Sequence, residues 1–326
     1  MKNHIKIIIA GLISSVVFLS CIYIGPGNFE EEPGSGHSTT EVLRINTEQD
    51  LKDFLSAYKF SKAKLNNNIN LSKGINLTKY TKELDLRGYN ITSTGYIFNI
   101  GNNAGLTIIN SSSFESELNG TYSNDAVIIN YGKLSINGGA SKNIKINSNY
   151  MGITNYCEID ILRCNIYVHS TIYRDSTIGV YNVMKNGQYG TINELDSNIR
   201  CEFRISRQNK ENDTTAVYNE GYIKTIRKGT YEAYSTAWSF GLYNAGYYGN
   251  DSGTIDLIET GVNFFADGVV DQYNVTEGEG FNSNEGRIKT NRGNYIPSLN
   301  NVPEFNIRSA AETKPVRIPK KPEITE

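Results

Sequence analysis

The feature that most limits what this chain can fold into is an asparagine that returns again and again behind a mostly apolar pair. It closes Phe98-Asn99, Ile128-Ile129-Asn130, Ile153-Thr154-Asn155, Val180-Tyr181-Asn182, Val217-Tyr218-Asn219, Leu242-Tyr243-Asn244 and Gln272-Tyr273-Asn274. Successive copies lie roughly 25 to 37 residues apart, the range in which self-similarity marks stacked repeats. Most copies are followed by a glycine and a short alternating run, such as GKLSI (Gly132 to Ile136), GTIDLI (Gly253 to Ile258) and GRIKT (Gly286 to Thr290). A third element, Asn-Ile-x-apolar, recurs as NINL at Asn68, NIKI at Asn143, NIYV at Asn165 and NIRC at Asn198.

Each unit therefore holds two or three strands of about four residues, each with one buried and one exposed face. One such unit cannot bury its apolar face alone, but a stack of them makes a continuous core. Alternation turns Val217 inward, Tyr218 outward and Asn219 inward at the bend. An inward carboxamide is tolerable only if its donors and acceptor are used, and stacking on the same residue of adjacent coils supplies partners. The expected amide ladder comprises Asn130, Asn155, Asn182, Asn219, Asn244 and Asn274. A β-sandwich with Asn-Gly turns is the competing fold.

The asparagine ladder and the irregular coil lengths resemble the right-handed parallel β-helix proteins of the pectin-lyase-like superfamily. The resemblance implies an all-β solenoid closed at its N-terminal end by a short helix. Thr47-Glu48-Gln49-Asp50 is a capping box with Asp in place of Glu, and Leu51, Phe54, Leu55 and Tyr58 share one helical face. ELDLRGYNIT (Glu83 to Thr92) is similar to an early coil of that superfamily.

Outside the repeats the chain carries an address. Lys2 and Lys6 precede an apolar run from Ile7 to Leu19, and Ser20-Cys21 follows, the layout of an export signal. It resembles a bacterial lipoprotein signal, which implies lipidation of Cys21. An uncleaved anchor and plain secretion also export the chain. Residues 1–21 are then the signal, 22–41 a Gly-, Pro- and Glu-rich linker, 42–295 the solenoid and 296–326 a proline-rich tail. The expected location is the cell surface or envelope, with the lipid bilayer as a partner at the front end.

With 32 basic and 34 acidic residues the net charge is −2, so nothing recruits a nucleic acid. Three cysteines follow the signal, and Cys201 in NIRC occupies an apolar register position, so it reads as a small buried hydrophobe. Only three histidines occur and no CxxC, so no metal site and no cofactor is expected.

Hydrolases of this superfamily resemble one another in clustered aspartates, Gly-His-Gly and Arg-Ile-Lys. Arg287-Ile288-Lys289 matches the last, but GRIKT repeats the register of GYIKT (Gly221 to Thr225), and no Asp-Asp pair or Gly-His-Gly is present. Asp251, Asp256, Glu259, Glu277 and Glu279 read as solvated surface charge, and Asp213 and Asp267 as turn residues. No catalytic residue is assigned. Tyr181, Tyr218, Tyr243 and Tyr273 each precede a ladder asparagine, so their rings are expected to point outward in a column, with Trp238 nearby. A row of exposed rings suits sugar faces or protein surfaces. The sequence thus points to an adhesin-like surface module binding polysaccharide or a host or envelope component. A polysaccharide lyase or hydrolase and a passive envelope spacer are the alternatives.

Overall fold

The computed structural model describes residues 42–121, 125–170, 176–185, 188–203, 213–235, 238–244, 253–267, 270–271 and 287–297. The chain divides into two units, Met1–Ser38 and Thr39–Glu326, and every described residue belongs to the second. The chain winds through three parallel sheets in turn, so that each coil gives one strand to each. Among the described residues the sheets hold ten, nine and eight strands, and every neighbouring pair within them is parallel. This is an all-β parallel β-helix. The apolar faces of the three sheets meet in one core that runs from Ile45 to Ile288.

Alternation governs the inward side with two exceptions that the sequence pattern does not announce. In the ten-stranded sheet the ladder shifts register between Leu134 and Ile136, and from there on the buried residues are three apart, not two. Ile159 and Leu162, Ile192 and Leu195, Ile223 and Ile226, and Ile255 and Ile258 are the inward pairs. The shift is a β-bulge made once, and the later strands keep its spacing in register, each presenting two outward residues where alternation allows one. In the eight-stranded sheet, Ile178 pairs with Thr215 and Val180 with Val217, while Gly179 drops out of the ladder. A Cβ there would lie 2.3 Å from Ile199 Cγ2 and 2.6 Å from the Ala216 carbonyl oxygen. Glycine therefore lets the corner close against the nine-stranded sheet, and it leaves Ile178 and Tyr181 both facing outward.

Helix α1 (Glu48–Ser56) opens the solenoid. Asp50 N–H donates to Thr47 Oγ1 at 3.1 Å and Thr47 N–H to Asp50 Oδ2 at 3.0 Å, closing the capping box. Leu51, Phe54 and Leu55 are buried in the core, so the helix plugs the first coil. Tyr58, expected on the same face, lies past the end of the helix and is 67% exposed. Among the described residues the inward file of the ten-stranded sheet includes one charged side chain. Lys82 stands in the file of Leu106 and Leu134, and its ammonium donates to the carbonyls of Ala57 and Phe60 just beyond the helix. Burial lowers its pKa to about 8.

Three register readings are corrected by the pairing. Asn99 pairs with Ile129, one position short of Asn130, so it faces outward and Ile100 takes the ladder position. NIYV and NIRC align as read, but NIKI is offset by two: Ile146 pairs with Ile166. An offset of two keeps every side chain on its own face. Asp213 and Asp267 are strand residues, the first of Asp213–Asn219 and the last of Val262–Asp267, and Asp213 is buried.

Candidate functional site

Asn130, Asn155, Asn182, Asn219 and Asn244 occupy one register position on successive strands and are buried. The Nδ2 of each of the first four donates to the Oδ1 of the next coil, at 2.7, 2.8, 2.7 and 2.7 Å. The amide dipoles point the same way along the axis and reinforce one another. The remaining capacity goes to the turns. Asn130 Nδ2 donates to the Glu158 carbonyl at 2.9 Å and Asn182 Nδ2 to that of Gly190 at 2.9 Å, while Gly221 N–H donates to Asn219 Oδ1 at 3.2 Å. Asn274 lies outside the described residues.

The tyrosines before these amides do form an outward column. Tyr181 and Tyr218 have ring centroids 5.0 Å apart, as do Tyr218 and Tyr243. The expectation that the column is exposed is overturned, because all three rings are buried. They belong to a second apolar cluster, outside the sheet, that includes Met151, Ile178 and Phe240. Tyr181 Oη donates to the buried Glu220 carboxylate at 3.0 Å. Burial, with the Glu220 charge adding to it, pushes the Tyr181 and Tyr218 phenols well above the usual range. Rings held so are structural. Tyr273 and the Trp238 side chain fall outside the described residues, as does Cys21.

Where aromatic and polar groups do meet solvent is the outward face of the nine-stranded sheet. Asn119, Asn147, Tyr167, Arg200, Glu232 and Phe265 stand in register on six successive coils. Beside them run His169, Glu202, Tyr234 and Asp267. Glu202 is the hub, with its side chain only 8% exposed. It accepts from Tyr167 Oη at 2.9 Å and Arg200 Nε at 2.8 Å, and His169 Nδ1 lies 3.4 Å away. The Arg200 guanidinium lies 4.7 Å over the Tyr234 ring, with Nη1 3.6 Å from Glu232. Tyr234 Oη donates to Glu232 at 3.3 Å, and its ring is 5.3 Å from that of Phe265. At the other end Asn147 Nδ2 donates to Asn119 Oδ1 at 2.6 Å.

The arrangement fixes planar groups without hiding them. Arg200 is 47% exposed and His169 44%, yet both are tethered to a buried carboxylate. Partial burial works against the Arg200 charge, but the bonds and charge of Glu202 outweigh it and raise its pKa. Two carboxylates around one guanidinium leave no excess of positive charge, so the strip is not an anion trap. Flat ring and guanidinium faces beside fixed amides suit the apolar faces and hydroxyls of sugars. The sequence concealed this cluster because Arg200, Glu202, Glu232 and Tyr234 come from two different coils and Tyr167 and His169 from a third.

The acids singled out by sequence do not converge. Asp256 is bound to Lys289 at 2.5 Å and to the Tyr222 hydroxyl, and Glu259 lies 3.8 Å from Arg227. Arg287 stands in the file of Thr254 and Tyr222, in an ordinary strand. Asp251, Glu277 and Glu279 lie outside the described residues. Among the described residues no disulfide joins the cysteines, and Cys201 is buried opposite Val168. No group of metal-ligating side chains occurs among them, and no helix is long and apolar enough to cross a membrane.

No protein-family model matches the chain, and no curated protein is similar to it. A solved structure described as "L. reuteri 53608 SRRP" is similar over 78% of this chain and 99% of that one, with 12% identity and a TM-score of 0.41.

Proposed function

We propose that the protein is an exported surface module, held to the cell envelope by a lipidated Cys21, whose β-helix binds polysaccharide along the outward face of its nine-stranded sheet. The observation that supports this reading is the strip from Asn119 to Phe265, half-exposed but cross-linked from coil to coil by hydrogen bonds and ring contacts. Side chains already ordered lose little rotamer freedom when a ligand arrives, which lowers the cost of binding. A linear glycan laid along the axis meets one strand per coil at a spacing of about 4.8 Å.

The test is a retention screen of the exported protein against neutral and acidic polysaccharides, also watched for bond cleavage. Tyr234→Ala is expected to weaken retention at least tenfold while the melting temperature stays within a few degrees. Arg200→Ala is expected to weaken it likewise and to lower the melting temperature more, because it takes a donor from the buried Glu202 carboxylate. Unchanged retention removes the strip from consideration, and cleavage makes the protein an enzyme. Mass spectrometry of the mature N-terminus checks the lipid on Cys21.

A further inference from the structure

The buried tyrosine column does not run the length of its sheet. In register order the outward file reads Asn76, Asn99, Ile129, Thr154, Tyr181, Tyr218, Tyr243. This file is covered from Thr154 onward, and the second apolar layer thins to half-buried Ile129 and Tyr131. Asn99 is only partly covered and Asn76 is exposed. The layer therefore ends in a step, with amides as the floor and an aromatic ring as the wall.

That step is an open pocket of about 320 Å³ lined by Asn76, Leu77, Thr78, Asn99, Gly101, Asn102 and Tyr131. Its wall is braced from behind, since the Tyr131 ring stacks on Tyr156 at 4.5 Å with planes 5° apart. Part of its floor is oriented as well. Tyr96 Oη donates to Asn76 Oδ1 at 3.1 Å, which fixes the carboxamide and leaves its two N–H donors for a ligand. Asn99 on the adjacent strand, and Thr78 and Asn102 at the rim, add neutral donors and acceptors. None of the seven lining residues carries a charge.

We propose that this shelf is a second binding site, separate from the strip on the nine-stranded sheet, and that it takes an uncharged sugar unit. A carboxamide offers a donor and an acceptor side by side, which pair with vicinal hydroxyls. A pyranose has such hydroxyls on its rim and an apolar face for the tyrosine ring. A carboxylated or phosphorylated sugar would be desolvated here with no cation to receive it, at a cost neutral donors do not offset. The volume is at the small end for ligand pockets, suited to one or two rings.

The site stands on its own geometry, so its test separates it from the strip. Neutral glucan, galactan and mannan oligosaccharides and a polyuronate fragment are titrated into the protein, with binding read by ligand-detected NMR. At least one neutral oligosaccharide is expected to bind, with affinity falling at least tenfold in Asn99→Ala and Tyr131→Ala and unchanged in Arg200→Ala. Tyr131→Phe keeps the ring and is expected to retain binding, which distinguishes lost stacking from a damaged fold. Binding of the polyuronate alone, no binding of any neutral oligosaccharide, or equal binding by Asn99→Ala overturns the proposal. Loss in Arg200→Ala but not in Asn99→Ala places the sugar on the strip and also overturns it.

Discussion

The outward faces of the eight-stranded and nine-stranded sheets begin from the same rule and end differently. Both arise from alternation on a stacked coil, and both carry aromatic residues in register. On the eight-stranded sheet the outward files hold Met151, Ile178 and Phe240 beside Tyr181, Tyr218 and Tyr243, and the face is buried as a second core. On the nine-stranded sheet the rings are interleaved with Asn119, Asn147, Arg200, Glu202 and Glu232, and much of that face stays half-exposed. A lone tyrosine column does not say whether it is a surface. The outward neighbours on the same strand do: Ile178 and Phe240, three positions before Tyr181 and Tyr243, are apolar and join the buried layer, whereas Tyr167 and Tyr234 stand two positions from His169 and Glu232.

That contrast is broken most forcefully by alkali. Burial holds the Tyr181, Tyr218, Tyr156 and Tyr231 phenols above their ordinary value near 10. Their contribution is complete below pH 10, where both states are protonated, and is lost as pH rises toward the folded-state values. Each such phenol removes up to about 1.4 kcal/mol per pH unit over that range. The Cys164 thiol, pushed up to about 12 by burial, acts in the same sense from pH 9. Lys82 opposes them: lowered to about 8, it adds stability as pH rises from there to its unfolded value of 10.5. Stability should therefore peak near pH 9 to 10 and collapse within about two units above, with tyrosine absorbance rising in step with loss of β-sheet circular dichroism. Phenols that ionise freely at pH 10 before any unfolding would show that the outer layer is open.

Smaller, and confined to one residue, is the effect of Tyr181→Ala. Removing a fully buried ring should cost about 3–5 kcal/mol, against less than about 0.5 kcal/mol for Asn147→Ala on the half-exposed strip. Tyr181→Phe keeps the packing but takes a donor from buried Glu220, at about 1–3 kcal/mol. Urea midpoints compare the variants without assuming a two-state transition, which a stack of repeats need not follow. Equal midpoints for Tyr181→Ala and Asn147→Ala would erase the distinction between the two faces.

The inside of this molecule was legible in its sequence and much of the outside was not. Asparagines spaced one coil apart identify the ladder because an inward amide has few other ways to be satisfied. Thr47 and Asp50 reveal the capping helix because both halves of the box lie within four residues. The interactions that decide the outer faces run across coils. Arg200 reaches Glu232 and rests on Tyr234, and Glu202 gathers Tyr167 from a strand 35 residues back. Asn99 was misplaced for a similar reason: Phe98-Asn99 has the ladder's wording, but the register moves it outward by one position. Nothing in the sequence singles out Lys82, and only the pairing with Leu106 turns it toward the core.

The ladder offers the finest comparison, since the two sheets each carry amide pairs that bond between coils. Asn182 Nδ2 reaches Asn219 Oδ1 at 2.7 Å and the carbonyls of Gly190 at 2.9 Å and Tyr222 at 3.3 Å, and its Oδ1 accepts from Asn155. Asn182→Ala takes a donor from the buried Asn219 Oδ1 and the Gly190 carbonyl on one side and an acceptor from Asn155 Nδ2 on the other. The expected loss is about 2–3 kcal/mol, set by unmet polar groups and not by lost area. Asn130, at the start of the described ladder, bonds to one amide neighbour and should lose less. Its outward counterpart, Asn119, bonds to Asn147 at a similar distance, but solvent can take over, so Asn119→Ala should shift the urea midpoint little. An Asn182→Ala variant as stable as Asn119→Ala would mean that the aligned amides merely accompany the stacking of the coils. A large deficit at Asn182 and a smaller one at Asn130 would identify them as part of what holds the coils in register.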